Sequence, residues 1–280
     1  MAQGVAPTTR QGESQPQRPE LRGLAQVQQV LAIASGKGGV GKTTVAVNLA
    51  LALAAAGKRV GLLDADVYGP SVPIMLGLNE VPEWEGKTIL PVRKFGLAIM
   101  SLGMLSEKGQ AIIWRGPMVG KAIRQLLDQV RWGELDFLVI DLPPGTGDPS
   151  ISVAQLIPAA SVVIVTTPQE VALADVRRSV KLFRAFGLNI LGLIENMSYF
   201  VCGHSPEPIR IFGAGGGEKL SEETGVPLLG SIPIALDISA AGDRGVPLLA
   251  ADPDSENSRI FSRIAEKIAT TAGAPPVGGP

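Results

Sequence analysis

Residues 36–43 read GKGGVGKT, and no other segment limits the fold of this chain so strongly. The segment matches GxxxxGK[ST] and lies between a short apolar run, Val30–Ser35, and an unbroken helical stretch, Thr43–Ala56. Such a loop works only where a strand delivers it and a helix leaves it. Its glycines let the backbone curl until successive N–H groups converge, and the helix N-terminus adds partial positive charge. Phosphate oxygens are the natural occupants of that convergence. Strand, phosphate loop and helix in this order form the first unit of an α/β sheet.

The same rhythm continues along the chain. Apolar runs at Val30–Ser35, Arg59–Leu63, Phe137–Ile140, Ser161–Thr166, Ile190–Ile194 and Leu228–Ile232 carry almost no charge, as strands covered on both faces require. Helices are predicted to begin near Lys42, Pro117, Pro149, Ala172 and Gly217, and a last amphipathic one covers Ser258–Thr270, with Ile260, Phe261, Ile264 and Ile268 on its apolar side. The expected class is α/β, a mostly parallel sheet with helices on both faces. Two stretches break the pattern: Val81–Gly103, read as an excursion carrying a hairpin or short extra strands, and Tyr199–Gly217, an irregular segment holding the lone cysteine and the lone histidine. With 280 residues and 45% hydrophobic side chains, one large domain over 29–272 is expected, between disordered tails at 1–28 and 273–280.

Charge and hydropathy exclude several functions. A formal net charge of −1 supplies no basic field for nucleic acid or for polybasic membrane attachment, so neither partner is expected. The most apolar stretch, Val45–Ala56, is interrupted by Asn48 and falls short of the roughly 18 residues that a membrane span needs. The N-terminal segment is polar and lacks the apolar core of a secretory signal, so the expected location is the cytoplasm. A single cysteine, Cys202, excludes an intramolecular disulfide.

The loop residues Gly36, Lys37, Gly38, Gly39, Val40, Gly41, Lys42, Thr43 and Thr44 are candidates for holding ATP. In such a loop the second lysine, Lys42, neutralises the outer phosphates, and the Thr43 hydroxyl ligates a Mg²⁺ ion that bridges two of them. Two apolar strands end in acids, LLDAD at Asp64 and Asp66 and LVID at Asp141, on the sheet edge where open α/β folds bind ligands. Asp141 is placed to hold Mg²⁺ through water. Asp64 and Asp66 are placed to orient the attacking water or assist the metal, with Asp66 preferred for the water because it lies further into the loop. The run DLPPGTGD that follows has glycines able to move with the state of the γ-phosphate.

One residue is unusual for a thin loop, the cation Lys37. With it, KGGVGKTT resembles the deviant Walker A loop of the MinD/ParA/nitrogenase iron-protein superclass of P-loop NTPases. That resemblance implies an ATP-sandwiching homodimer, in which the lysine crosses to the nucleotide of the facing subunit. It also places Asn196 at the adenine, with Pro233 lining the other side. The stretches DADVYGPSVP, WRGPM, DLPPGTGD, ENMSYFVC, IFGAGGGEKL and GDRGVP together resemble the Mrp/ApbC-type ATPases that carry and deliver iron–sulfur clusters, from about Val30 to Ala250. The implied partners are iron–sulfur recipient apoproteins or assembly factors. The implied cargo is a [4Fe–4S] cluster bridging a dimer through a CxxC pair from each subunit.

This chain departs from that pattern. It reads Cys202-Gly203-His204-Ser205, so Cys202 matches the first position and Ser205 stands at the second. A homodimer then offers two cysteines rather than four, and His204 is an alternative ligand outside the family's position. A positioning ATPase of MinD/ParA type is the competing reading. It calls for a basic C-terminal helix or surface, and the tail after Lys267 has neither Lys nor Arg. A ligase or kinase on the same scaffold needs an acceptor pocket for which no motif is present.

Overall fold

The structure is a computed structural model that describes residues 21–66, 69–105, 116–157, 160–202, 204 and 207–272. Residues 1–20 of the N-terminal tail expected at 1–28, the tail expected at 273–280, Trp114 and Arg115 of the WRGPM motif, and Ser205 lie outside the described residues.

Side-chain alternation along the first strand, β1 (Val27–Ser35), dictates a layer on each side of it. Leu31 and Ile33 enter one apolar cluster, while Val30, Ala32 and Ala34 enter the other. Successive strand residues point to opposite faces, so a strand this apolar is stable only when both are covered. The remaining strands are β2 (Val60–Asp64), β3 (Val92–Lys94), β4 (Leu97–Ser101), β5 (Leu135–Asp141), β6 (Ser161–Thr166), β7 (Asn189–Glu195) and β8 (Leu228–Ser231). They form one eight-stranded sheet in the order β8-β7-β6-β1-β5-β2-β4-β3, parallel throughout except where β3 runs antiparallel to β4.

Among the described residues, the helices of eight residues or more are α1 (Lys42–Ala55), α2 (Gly116–Gln129), α3 (Asp148–Leu156), α4 (Glu170–Ala185), α5 (Gly216–Thr224), α6 (Leu236–Asp243) and α7 (Glu256–Ala272). Residues of α1, α6 and α7 share one core cluster, and those of α2, α3, α4 and α5 share the other. The sequence of α1 is apolar all round rather than striped. Its residues from Val45 to Leu53 are all buried, as expected for a helix enclosed by the sheet on one side and α7 on the other. By contrast α7 has a stripe, and Ile260, Phe261, Ile264 and Ile268 occupy it as predicted.

Three expectations are corrected. The folded chain begins before residue 29: a short turn at Arg22–Leu24 precedes β1, and Leu21, Leu24 and Val27 pack on the core, which polar neighbours had masked. The excursion Val81–Gly103 does hold a hairpin, Trp84–Glu85 against Thr88–Ile89, but its end is a full member of the sheet. Its LAIMS segment is buried along its length and pairs in parallel with β2 from Val60↔Leu97 to Asp64↔Ser101. Finally, β2 closes on Asp64 rather than before it, so this carboxylate is a strand residue.

Candidate functional site

The chain leaves β1 at the sheet centre for β2 on one side, and the later connection from β5 to β6 passes to the other; that divergence opens a crevice at the carboxyl strand ends. The phosphate loop fills its floor. Gly41 caps α1 with φ 79, a left-handed conformation that side chains disfavour. Gly36 is small for another reason: a Cβ there would lie 2.6 Å from the Cβ of Asp175 and 2.8 Å from the backbone nitrogen of Val176, on α4. Ser35 Oγ donates to the Lys37 carbonyl at 2.9 Å, and the Gly145 amide of the DLPPGTGD loop donates to the Ser35 carbonyl at 2.9 Å. The two glycine-rich loops are thus tied at their base.

Above them, polar groups from distant parts of the chain converge. Lys42 Nζ donates to Asp141 Oδ1 at 2.6 Å, and Thr43 Oγ1 donates to Asp141 Oδ2 at 2.6 Å. Asp66 Oδ2 is 3.9 Å from Lys42 Nζ. Parallel pairing places these groups together, because Asp141 is in register with Ile33 on β1 and with Asp64 on β2. Asp141 is fully buried, and burial pushes its carboxyl above the usual range against the pull of the Lys42 ammonium and the two hydrogen bonds.

Asp64 has a different environment. Its Oδ1 accepts from the Asp66 amide at 3.1 Å, and its Oδ2 accepts from Ser101 Oγ at 3.0 Å and from the Val72 amide at 3.3 Å. Burial first, and then the neighbouring charge of Asp141, push it up to about 7. These bonds fold the strand end back so that Asp66 faces the crevice. The expectation that either acid can reach the attacking water therefore narrows: Asp66 lines the cavity, and Asp64 is turned into the sheet. Ser101, which holds Asp64, was missed in the sequence because its strand was not recognised.

The cavity has a volume of about 310 Å³, and its lining includes Lys37, Gly38, Gly39, Gly41, Lys42, Thr43, Thr44, Asp66 and Pro144. The residues fit a Mg²⁺–nucleotide. Hard oxygen donors, Thr43 Oγ1 with the carboxylates of Asp141 and Asp66, suit Mg²⁺. Gly38 and Gly39 leave their side of the loop open, since a Cβ on Gly39 would meet nothing within 4 Å and one on Gly38 only Pro144 at 3.9 Å.

Asn196 and Pro233, expected around the base, lie on neighbouring strand ends, since the Ile232 amide donates to the Glu195 carbonyl at 2.8 Å and the Ile234 amide to the Tyr199 carbonyl at 2.6 Å. Asn196 is buried and spends one amide hydrogen on the Val40 carbonyl at 2.8 Å, bracing the phosphate loop. Pro233 lines a separate cavity of about 630 Å³ with Tyr199, Phe200 and Leu236. Cys202 is half-buried directly after the first arm of a two-stranded ribbon, Phe200–Val201 against Pro208–Ile209, and His204 is exposed between the arms. Among the described residues no three His, Cys, Asp or Glu side chains are grouped to hold a metal within one chain. Glu195 at the end of β7 was not foreseen either. It accepts from Ser198 Oγ at 2.5 Å and from the Gly217 amide at the start of α5 at 2.6 Å; an acid closing an apolar run was the available signal.

Comparison with known proteins agrees with this geometry. A ParA family model, described as NUBPL iron-transfer P-loop NTPase, matches residues 26–269. The iron-sulfur cluster carrier protein of Synechocystis sp. is 48% identical over 257 residues, covering 90% of this chain and 73% of that protein. The iron-sulfur cluster transfer protein NUBPL of Mus musculus is 46% identical over 253 residues, covering 89% and 79%. Among solved structures, a nucleotide-binding protein from Archaeoglobus fulgidus in complex with ADP superposes with a TM-score of 0.73 at 35% identity, covering 85% of this chain and 93% of that one. The cell division ATPase MinD of Pyrococcus furiosus superposes with a TM-score of 0.65 at 25% identity, covering 87% and 99%. No helix among the described residues is long and apolar enough to cross a membrane. Matched over most of its length and nearly half identical to these relatives, the chain belongs to the ParA family of NUBPL iron-transfer P-loop NTPases.

Proposed function

We propose that this protein is an ATP-hydrolysing iron–sulfur cluster carrier that works as a homodimer. The observation that carries the nucleotide part is the convergence of Lys42 and Thr43 on the two oxygens of Asp141, at 2.6 Å each. On binding, the backbone amides of Gly38–Gly41 receive phosphate oxygens, and Lys42 turns part of its hydrogen bonding from Asp141 to the outer phosphates. Thr43, and Asp141 through water, would hold Mg²⁺, which would neutralise charge on the phosphates. Asp66 accepts a hydrogen bond from a water aligned with the γ-phosphorus. That water's oxygen bonds to phosphorus as the bond to the β–γ bridging oxygen breaks, and its proton leaves on the phosphate. Lys37 of a second copy stabilises the charge that spreads over the transferring group.

The cargo reading draws on the relatives' names and on Cys202. A homodimer brings two thiolates to a cluster, short of the usual four, which suits a cargo that is held loosely and handed on to a recipient apoprotein. The MinD-type positioning role is not favoured: the relatives named for cluster carriage and transfer are 46–48% identical, and the MinD structure 25%. Anaerobic reconstitution of wild type, Cys202→Ala and Ser205→Cys, with iron and sulfide counted per dimer, tests this reading. Wild type is expected to hold cluster, Cys202→Ala to lose it and Ser205→Cys to hold it more firmly. An empty wild type beside a loaded Ser205→Cys overturns an intrinsic carrier role.

A further inference from the structure

The nucleotide loop and the cysteine ribbon are joined by a short tract of backbone. Cys202 lies six positions after Asn196, whose side chain grips the phosphate loop at the Val40 carbonyl. The grip is close: a Cβ on Gly41 would sit 2.2 Å from Asn196 Nδ2. Met197 then takes φ 55, a left-handed conformation that an unbranched residue holds only where its neighbours fix it. The next residues are fastened on both sides. The Ser198 amide donates to the Ile232 carbonyl at 3.0 Å, and the Ile234 amide donates to the Tyr199 carbonyl at 2.6 Å.

We infer that Ser198 is the positioning residue through which the phosphate loop sets the state of the Cys202 ribbon. Its buried hydroxyl is the one group in this tract bonded in both directions. It donates to Glu195 Oε1 at 2.5 Å, and Glu195 is anchored in turn to the Gly217 amide at the start of α5. It also accepts from Arg210 Nη1 at 3.4 Å, on the arm of the ribbon that returns after Cys202. The Arg210 guanidinium lies 5.6 Å from the centre of the Tyr199 ring, so the returning arm is held to the outgoing one on either side of the cysteine. A hydrogen bond to a buried carboxylate is strong and directional, so a shift of Val40 transmitted by Asn196 moves the ribbon as a unit. The proposal rests on the nucleotide reading above and does not require a bound cluster.

Cys202 is the only cysteine in the sequence, so thiol labelling of the full chain reports on it alone. The experiment measures iodoacetamide alkylation rates anaerobically, without nucleotide and with saturating Mg²⁺–ATP or Mg²⁺–ADP, and titrates a fluorescent nucleotide into the same samples. In wild type, saturating nucleotide is expected to change the rate by about threefold or more. Ser198→Ala is expected to bind nucleotide within about twofold of wild type and to label at one rate whether or not nucleotide is present. Arg210→Ala, an exposed change that leaves Ser198 and Glu195 in place, is expected to lose the response in the same way and serves where Ser198→Ala fails to fold. Wild type that does not bind nucleotide overturns the nucleotide reading. Wild type that binds but labels at an unchanged rate overturns the coupling, and a full response in a folded Ser198→Ala or in Arg210→Ala overturns the role of Ser198.

Discussion

Replacing Lys42 by alanine tests the site through stability as well as through binding. Lys42 is 6% exposed and Asp141 0%, and their contact is 2.6 Å. Removing the ammonium leaves a buried carboxylate that still accepts a hydrogen bond from Thr43 Oγ1. Breaking one side of a buried pair costs about 3–5 kcal/mol, which for a domain of this size lowers Tm by about 10 °C. The loss depends on pH in a definite direction. Burial already raises the Asp141 carboxyl, and without Lys42 the opposing pull is gone. The folded variant then keeps Asp141 protonated at pH values where the unfolded chain has released that proton. Native protein binds more protons in that window, so the stability of Lys42→Ala falls as pH rises from about 4 through the raised folded value. Urea unfolding followed by circular dichroism at mildly acidic and mildly alkaline pH measures the effect. Lys42→Ala/Asp141→Asn, which removes the stranded charge, is expected to recover most of the stability and to flatten the profile, while nucleotide binding stays lost. A single variant as stable as wild type with a parallel pH profile, and a double variant no better than the single, would refute the reasoning.

Asp64 gives a related signature in the wild-type protein. Its carboxyl rises from 3.8 to about 7 on folding, through burial and then Asp141, so stability falls as pH climbs across that interval. The full effect is about 4 kcal/mol, and Asp64→Asn is expected to remove its share of the slope in urea midpoints; an unchanged slope refutes the assignment. Lys37→Ala is expected to keep nucleotide affinity within several-fold while turnover drops by about a thousandfold. Steady-state hydrolysis beside equilibrium titration checks this, and an unaltered rate would remove the argument for a sandwich dimer.

Much of the site was legible because the chemistry is local in sequence. GKGGVGKT specifies its own turn and the helix that follows, and Lys42 and Thr43 are adjacent on the first turn of α1. Asp141 was readable as an acid closing an apolar strand, and Cys202 as the lone thiol beside a familiar motif. The excursion was harder. LAIMS joins the sheet only because β2 is already there to pair with it, and four apolar residues and a serine after a hairpin carry no mark of that pairing.

The sequence by itself determined the class of fold, the conformation of the glycine-rich loop and the residue types available to it, since each follows from short-range periodicity and from the steric freedom of glycine. Only the tertiary structure separated two aspartates that are two positions apart. Asp64 is turned into the sheet by Ser101 and two backbone amides, and Asp66 is left facing Lys42. Tertiary structure alone also showed Asn196 bracing the phosphate loop at Val40, a contact that nothing in the sequence marks. Both outcomes depend on partners up to 156 positions away in the chain, and the free energy of a buried polar group is set by the partner it finds there.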